Sequence, residues 1–155
     1  MPSGIRVRPG IVYCHAVPSL LNLLPHRPPM RLVEEVVEVD PGRHAICRRL
    51  TRKQDWFFDG HFPDEPVVPA AILVELIAQT GGLAVGAGAQ AHAPLRLRVA
   101  ALGPFKFPAA AGAGVTLEVT ARCVRAMGGL FKIEGSVTAD RIVVAEGAVT
   151  LAAVP

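Results

Sequence analysis

Between Gly60 and Gln79 the chain reads GHFPDEPVVPAAILVELIAQ. His61 stands close to prolines, and Glu75 is a lone carboxylate inside the apolar run AAILVELIAQ. Histidine is the side chain whose ordinary pKa lies near neutrality, so it can take or give a proton at working pH. A carboxyl removed from water resists ionisation and keeps its proton available. From Ala70 to Leu95 the only other ionisable side chain is His92, so Glu75 is expected to be buried. Gln79 follows one helical turn after Glu75, on the same face and within side-chain reach.

These residues need a frame. From Ala70 to about Val85 the pattern is apolar on nearly all sides, which is the mark of a buried helix. Pro69 suits the first helical position, where a missing N–H costs nothing, and Ala70 then offers the first free N–H at the positive end of the helix dipole. Gly81 and Gly82 are expected to let another backbone approach. Upstream, SLLNLL (19–24) predicts a short helix capped by Ser19, and PHRPPM (25–30) a proline-stiffened loop. RLVEEVVEV (31–39) and RHAICRRLTR (43–52) read as strands around a DPG turn, and 53–69 as irregular. Downstream, 101–107, 115–124, 130–138 and 141–152 read as strands, with a turn at 139–141. The fold class is therefore α+β, an antiparallel sheet wrapped around one helix. Residues 1–18 form an N-terminal extension, loose or strand-like, and 19–155 a single domain.

Composition removes several classes. Apolar residues make up 51% of the chain, which raises the question of a membrane span. The longest uncharged stretch, Leu76 to Leu95, is interrupted by Gln79, Thr80, Gln90, Pro94 and four glycines, so it is a poor spanning helix. No basic segment leading into an apolar run opens the chain, so no signal peptide is expected. Three widely spaced cysteines, Cys14, Cys47 and Cys123, argue against a disulfide framework and fit a reducing cytoplasm. The net charge of +3 comes without a Lys/Arg run, which speaks against nucleic acid. His61 and Glu65 have an i, i+4 spacing, but Pro63 and Pro66 disfavour a helix there, so no metal site is expected. His15, His26, His44 and His92 have no ligand spacing and read as surface or structural residues. Cys14 beside His15 is an adjacency only.

The blocks LLPHRPPMRLVEEVVEVDPG (23–42), WFFDGHFPDEPVVPAAILVELIAQTGG (56–82) and FKFPAAAGAGVTLEV (105–119) together resemble the FabZ-like 3-hydroxyacyl-[acyl-carrier-protein] dehydratases, in the same order over about residues 20 to 152. The resemblance implies a hotdog fold, dimeric or a higher oligomer of dimers, with no cofactor and an acyl carrier protein as partner. It implies that His61 is the catalytic histidine and Glu75 its carboxylate partner, contributed to one site by different subunits. Ala70 takes the place of the family's glycine, whose N–H polarises the thioester carbonyl. Gln79 matches the glutamine that positions the carboxylate. Phe62 and Pro69 fall in the same boxes as substrate-side residues.

Dehydration of a 3-hydroxyacyl thioester needs a base at C2, an acid at the 3-hydroxyl and a donor for the thioester oxygen. His61, Glu75 and the Ala70 N–H supply one part each. Arg96, Arg98, Lys106 and Lys132 are candidates for a basic rim facing an acidic carrier protein. Other readings stand beside these. Glu75 could pair with Arg31 or Arg49, and Gln79 could simply satisfy buried backbone. The same fold also serves acyl thioesterases, and a non-catalytic acyl-binding subunit of a heteromeric complex is a third possibility. Ala70 for glycine, Asp64 after HFP, Arg31 at a usually apolar place and AAAGA (109–113) in the following loop point to a divergent branch.

Overall fold

The structure, a computed structural model, describes residues 10–13, 18–89 and 95–155. Cys14, His15 and His92 lie outside the described residues, as does most of the segment read as an N-terminal extension. Among the described residues, seven strands form one antiparallel sheet: β1 (Val12–Tyr13), β2 (Glu35–Asp40), β3 (His44–Leu50), β4 (Leu97–Lys106), β5 (Thr116–Met127), β6 (Leu130–Ala139) and β7 (Ile142–Ala153). Their spatial order is β1-β2-β3-β5-β6-β7-β4. The last three hairpin strands follow the alternation of their sequence, and Asp140 and Arg141, both at positive φ, make the tight β6–β7 turn. Ser19 lies inside a 3-10 turn spanning Pro18–Leu23, so it is not a cap ahead of a helix.

One helix, α1 (Ala70–Gly88), lies against this sheet. By length and hydropathy it would pass for a membrane span, yet most of it is buried inside the protein as the core helix. Leu76, Ile77 and Leu83 are wholly buried against Val119, Ala121, Ile133, Val137 and Val149. Each such side chain contributes about 2 kcal/mol relative to exposure. That outweighs the roughly 1 kcal/mol that each of Gly81 and Gly82 costs a helix.

Gly81 corrects an expectation. It admits no backbone; it faces the Ile133 side chain, whose Cγ2 would sit 2.7 Å from an added Cβ. Gly135 on β6 meets Ile77 of α1 at the same 2.7 Å, so glycine and isoleucine interlock reciprocally across the helix–sheet contact. Backbone meets backbone at Gly88, against Gly42 of the β2–β3 turn. Gly42 N–H donates to Ala84 O at 2.8 Å, which ties that turn to the end of α1. The helix accordingly runs three residues past the expected Val85.

Candidate active site

His61 sits in the irregular segment before α1. Phe62 and Glu65 exchange backbone bonds of 3.0 and 3.2 Å, so the segment is a tight turn and not a helix. Behind it, Arg49 is buried and pairs with Asp55, Asp55 Oδ2 accepts from the Arg52 N–H at 2.8 Å, and Arg52 pairs with Glu34. This network fixes the 3-10 turn Trp56–Phe58, and Phe58 O then accepts the His61 N–H at 3.0 Å. Ahead of the helix, Val68 N–H donates to Ala111 O at 2.8 Å, and Thr51 Oγ1 donates to Gly112 O at 2.9 Å. The AAAGA loop is thereby held through its own backbone carbonyls.

The His61 ring is half-buried and stacked on Phe62, with centroids 4.3 Å apart. Its Nδ1 lies 2.8 Å from Val67 O. A carbonyl oxygen only accepts, so Nδ1 carries a proton, and in the neutral ring it is Nε2 that presents the lone pair. Phe62 is exposed, at 53%, on the outer side of this ring.

Pro69, with φ −59° and ψ 142°, is the residue that caps α1, one place before the position expected for it. Its carbonyl accepts from Ile72 and Leu73 at 2.9 and 3.3 Å. Ala70 is exposed, and its N–H belongs to the first turn, which has no acceptor in the helix itself. It therefore points a donor outward from the positive end of the helix dipole.

Glu75 is not buried as its sequence context implied: its side chain keeps 26% of its exposure. The reason is tertiary. Its face of α1 opens into a cavity of about 220 Å³ that lies between the helix, the loop before β2 and the β4 edge of the sheet, lined by Leu24, His26, Gln79, Gly82, Leu97 and Arg98, among others. Its partner is no arginine. Arg49 is engaged by Asp55, Glu34 and Leu32 O, whereas His26 Nε2 stands 3.3 Å from Glu75 Oε1. His26 is thus a site residue that sequence reasoning set aside as structural. Its place in the PHRPPM block was the available signal.

Gln79 is 1% exposed and does both things considered for it. Its Oε1 accepts from Leu32 and Val33 N–H at 2.9 and 3.4 Å. Its Nε2 donates to Met30 O at 2.7 Å and to Glu75 Oε1 at 2.9 Å. It satisfies buried backbone and aims the carboxylate at once.

His61, Phe62, Pro69 and Ala70 do not line the Glu75 cavity, so the candidate residues of one chain fall into two separate groups. Of the basic candidates, Arg98 is at the cavity and exposed, and Arg96 precedes it by two residues. Lys106 and Lys132 line a separate depression together with Glu134 and Glu146, which offset their charge. They do not form a rim with Arg98.

Residues 24–148 match the family described as the FabA-like domain. The 3-hydroxyacyl-[acyl-carrier-protein] dehydratase FabZ of Roseiflexus castenholzii is 30% identical over 84% of this chain and 91% of its own length. The protein of the same name from Myxococcus xanthus is 35% identical over 83% and 85%. Among solved structures, a chain of the dehydratase heterocomplex ApeI:P from Xenorhabdus doucetiae superimposes with a TM-score of 0.70 at 16% identity, covering 88% of this chain and 91% of that one.

Proposed function

The chain belongs to the FabA-like domain family as a FabZ-like 3-hydroxyacyl-[acyl-carrier-protein] dehydratase, and from that premise we propose how its own residues divide the work. His61 removes the C2 proton of a (3R)-3-hydroxyacyl chain held on acyl carrier protein. Glu75 protonates the departing 3-hydroxyl, and the product is the trans-2-enoyl thioester plus water. The observation that carries this is the 2.8 Å bond from His61 Nδ1–H to Val67 O, because it leaves Nε2 free as a base of fixed direction.

As the C2 proton leaves, negative charge grows on the thioester oxygen. The Ala70 N–H is the preorganised donor for it, worth about 3 kcal/mol of barrier. The extra methyl of Ala70, where the family has glycine, narrows the approach of the acyl chain but leaves this N–H in place. Gln79 Nε2 holds Glu75 Oε1 by a 2.9 Å hydrogen bond.

The working unit is a dimer in the cytoplasm, with His61 of one subunit serving Glu75 of the other. Support comes from the two separate groups of residues and from β4. Among the described residues that strand ends the sheet with one edge unpaired, and it exposes Val99 and Leu102, at 44% and 58%. A ten-residue edge strand that exposes apolar side chains between Arg98 and Lys106 invites a second copy. Such a copy also covers the Glu75 cavity, whose wall includes Leu97 and Val99, and so withdraws the carboxyl from water. Arg98 at the cavity faces the acidic carrier protein.

The test is to mix the protein, His61→Ala and Glu75→Gln with a 3-hydroxyacyl thioester on carrier protein and follow product mass. Loss of one water by the wild type, abolished in both variants, is the expected result. Release of a free acid would make it a thioesterase, and binding without turnover would make it a non-catalytic acyl-binding subunit.

A further inference from the structure

Two features of His26 stand outside the mechanism above. Its Nε2 lies 3.3 Å from Glu75 Oε1, and its Nδ1 is buried with no hydrogen-bond partner among the described residues. The second feature decides the first. A proton on Nδ1 would be a buried N–H with nothing to accept it, whereas the same proton on Nε2 faces a carboxyl oxygen that can accept it. The ring proton therefore belongs on Nε2, the nitrogen that faces the carboxylate.

Glu75 Oε1 then accepts a hydrogen bond from the Gln79 amide at 2.9 Å and has the His26 Nε2 beside it at 3.3 Å, close enough for an ion-pair contact but not aligned as a hydrogen bond. Oε2 has no donor among the described residues. An oxygen already facing two N–H groups has no room for a proton of its own, so the carboxyl proton is confined to Oε2. We propose that His26 is a positioning residue for dehydration: with Gln79 it fixes which oxygen of Glu75 carries the transferable proton and keeps that oxygen turned to the substrate.

The 3.3 Å separation is long for the free protein, and contacts of this kind shorten when substrate closes the site. His26 is well placed for that shift. It sits on the loop that the Gln79 amide ties to α1 through Met30, Leu32 and Val33, and it lines the same cavity as Glu75. The inference rests on the reading of Glu75 as the acid.

The test compares His26→Leu and His26→Gln in the otherwise complete protein, each alone and combined with Glu75→Gln, measuring kcat and KM on a 3-hydroxyacyl carrier-protein thioester. Leucine keeps bulk without a donor, and glutamine restores an N–H. His26→Leu is expected to lower kcat about 100-fold, as a misplaced catalytic group does, with KM within about twofold. His26→Gln is expected to recover most of that loss. In the Glu75→Gln background neither change is expected to lower the residual rate further, because His26 acts only through the carboxyl.

Wild-type kcat in His26→Leu, with Glu75→Gln inactive, overturns the inference and leaves the proposed function standing. Full activity in Glu75→Gln overturns both. Equal losses in His26→Leu and His26→Gln, or losses that multiply with Glu75→Gln, make His26 a structural residue and overturn the inference. Where His26→Leu fails to fold, by thermal melting, the decision passes to His26→Gln, which must keep kcat within about threefold.

Discussion

Gln79 Nε2 donates to Glu75 Oε1 at 2.9 Å from one helical turn away, and the same amide donates to Met30 O and accepts from Leu32 and Val33 N–H. One buried side chain therefore joins the acid to the loop that forms the wall of its cavity. Gln79→Leu strands these backbone groups, each unsatisfied group costing about 1–3 kcal/mol. The expected loss of stability is about 3 kcal/mol or more, seen as a lower urea midpoint. Activity per folded molecule should fall as well, since the carboxylate loses its tether.

Ala70→Pro isolates the oxyanion donor. Pro69 already has φ −59° and ψ 142°, the conformation a residue takes before proline, and proline is tolerated in the first turn of a helix. The fold should survive with little change in Tm. The N–H is gone, so kcat is expected to drop about 100-fold at nearly unchanged KM. An unaltered kcat would remove Ala70 from the mechanism.

Sharing of the site between subunits makes a combinatorial prediction. His61→Ala and Glu75→Gln homodimers should both be inactive. Co-expressed at random, half of the dimers pair the two variants, and each has one intact site. Activity should return to about a quarter of wild type. No recovery in isolated heterodimers would place both residues in one subunit's site.

The interlock of glycine and isoleucine is testable by stability alone. Gly81→Ala drives a methyl to within 2.7 Å of Ile133 Cγ2 and should cost about 1–3 kcal/mol. Gly81→Ala combined with Ile133→Ala should be less destabilised than the two single losses added together. Additive losses in denaturant unfolding would show that the two sites do not press on each other.

Acid should weaken the scaffold behind His61. Burial alone would raise the Glu34 pKa, but the hydrogen bond from Arg52, the Leu50 N–H and the charges of Arg49 and Arg52 together hold it below the ordinary 4.5. A carboxylate with a depressed pKa contributes stability above pH 4.5 and loses it as pH falls through its folded value. Glu34→Gln should therefore be less stable than wild type at neutral pH. The gap should shrink below pH 4.5, as read from urea midpoints across pH.

The blocks around His61 and Glu75 carried much of this protein in one dimension. Alternation marked the strands of the second half because a half-buried strand repeats every two residues. The all-round apolar run marked α1, because a core helix needs no polar face. Gln79 was tied to Glu75 by helical spacing as well as by the family resemblance. These are local regularities, and the residues that state them lie within a few positions of each other.

What the chain could not state locally is which distant groups meet. Glu75 looked buried because its sequence neighbours are apolar. It opens into a cavity because the face of α1 it occupies is not packed tightly by the loop before β2 and the β4 edge that stand across from it. His26 looked structural, 49 positions from Glu75, until the turn of the PHRPPM loop brought its ring to the carboxylate. Lys106 and Lys132 looked like companions of Arg98 and are drawn instead into a depression with Glu134 and Glu146 by the pairing of β4, β6 and β7. Sequence determined the elements and the chemical types they carry, since backbone periodicity is written residue by residue. Only the tertiary structure decided which faces stay uncovered and which charges become neighbours, since those depend on packing across the whole sheet.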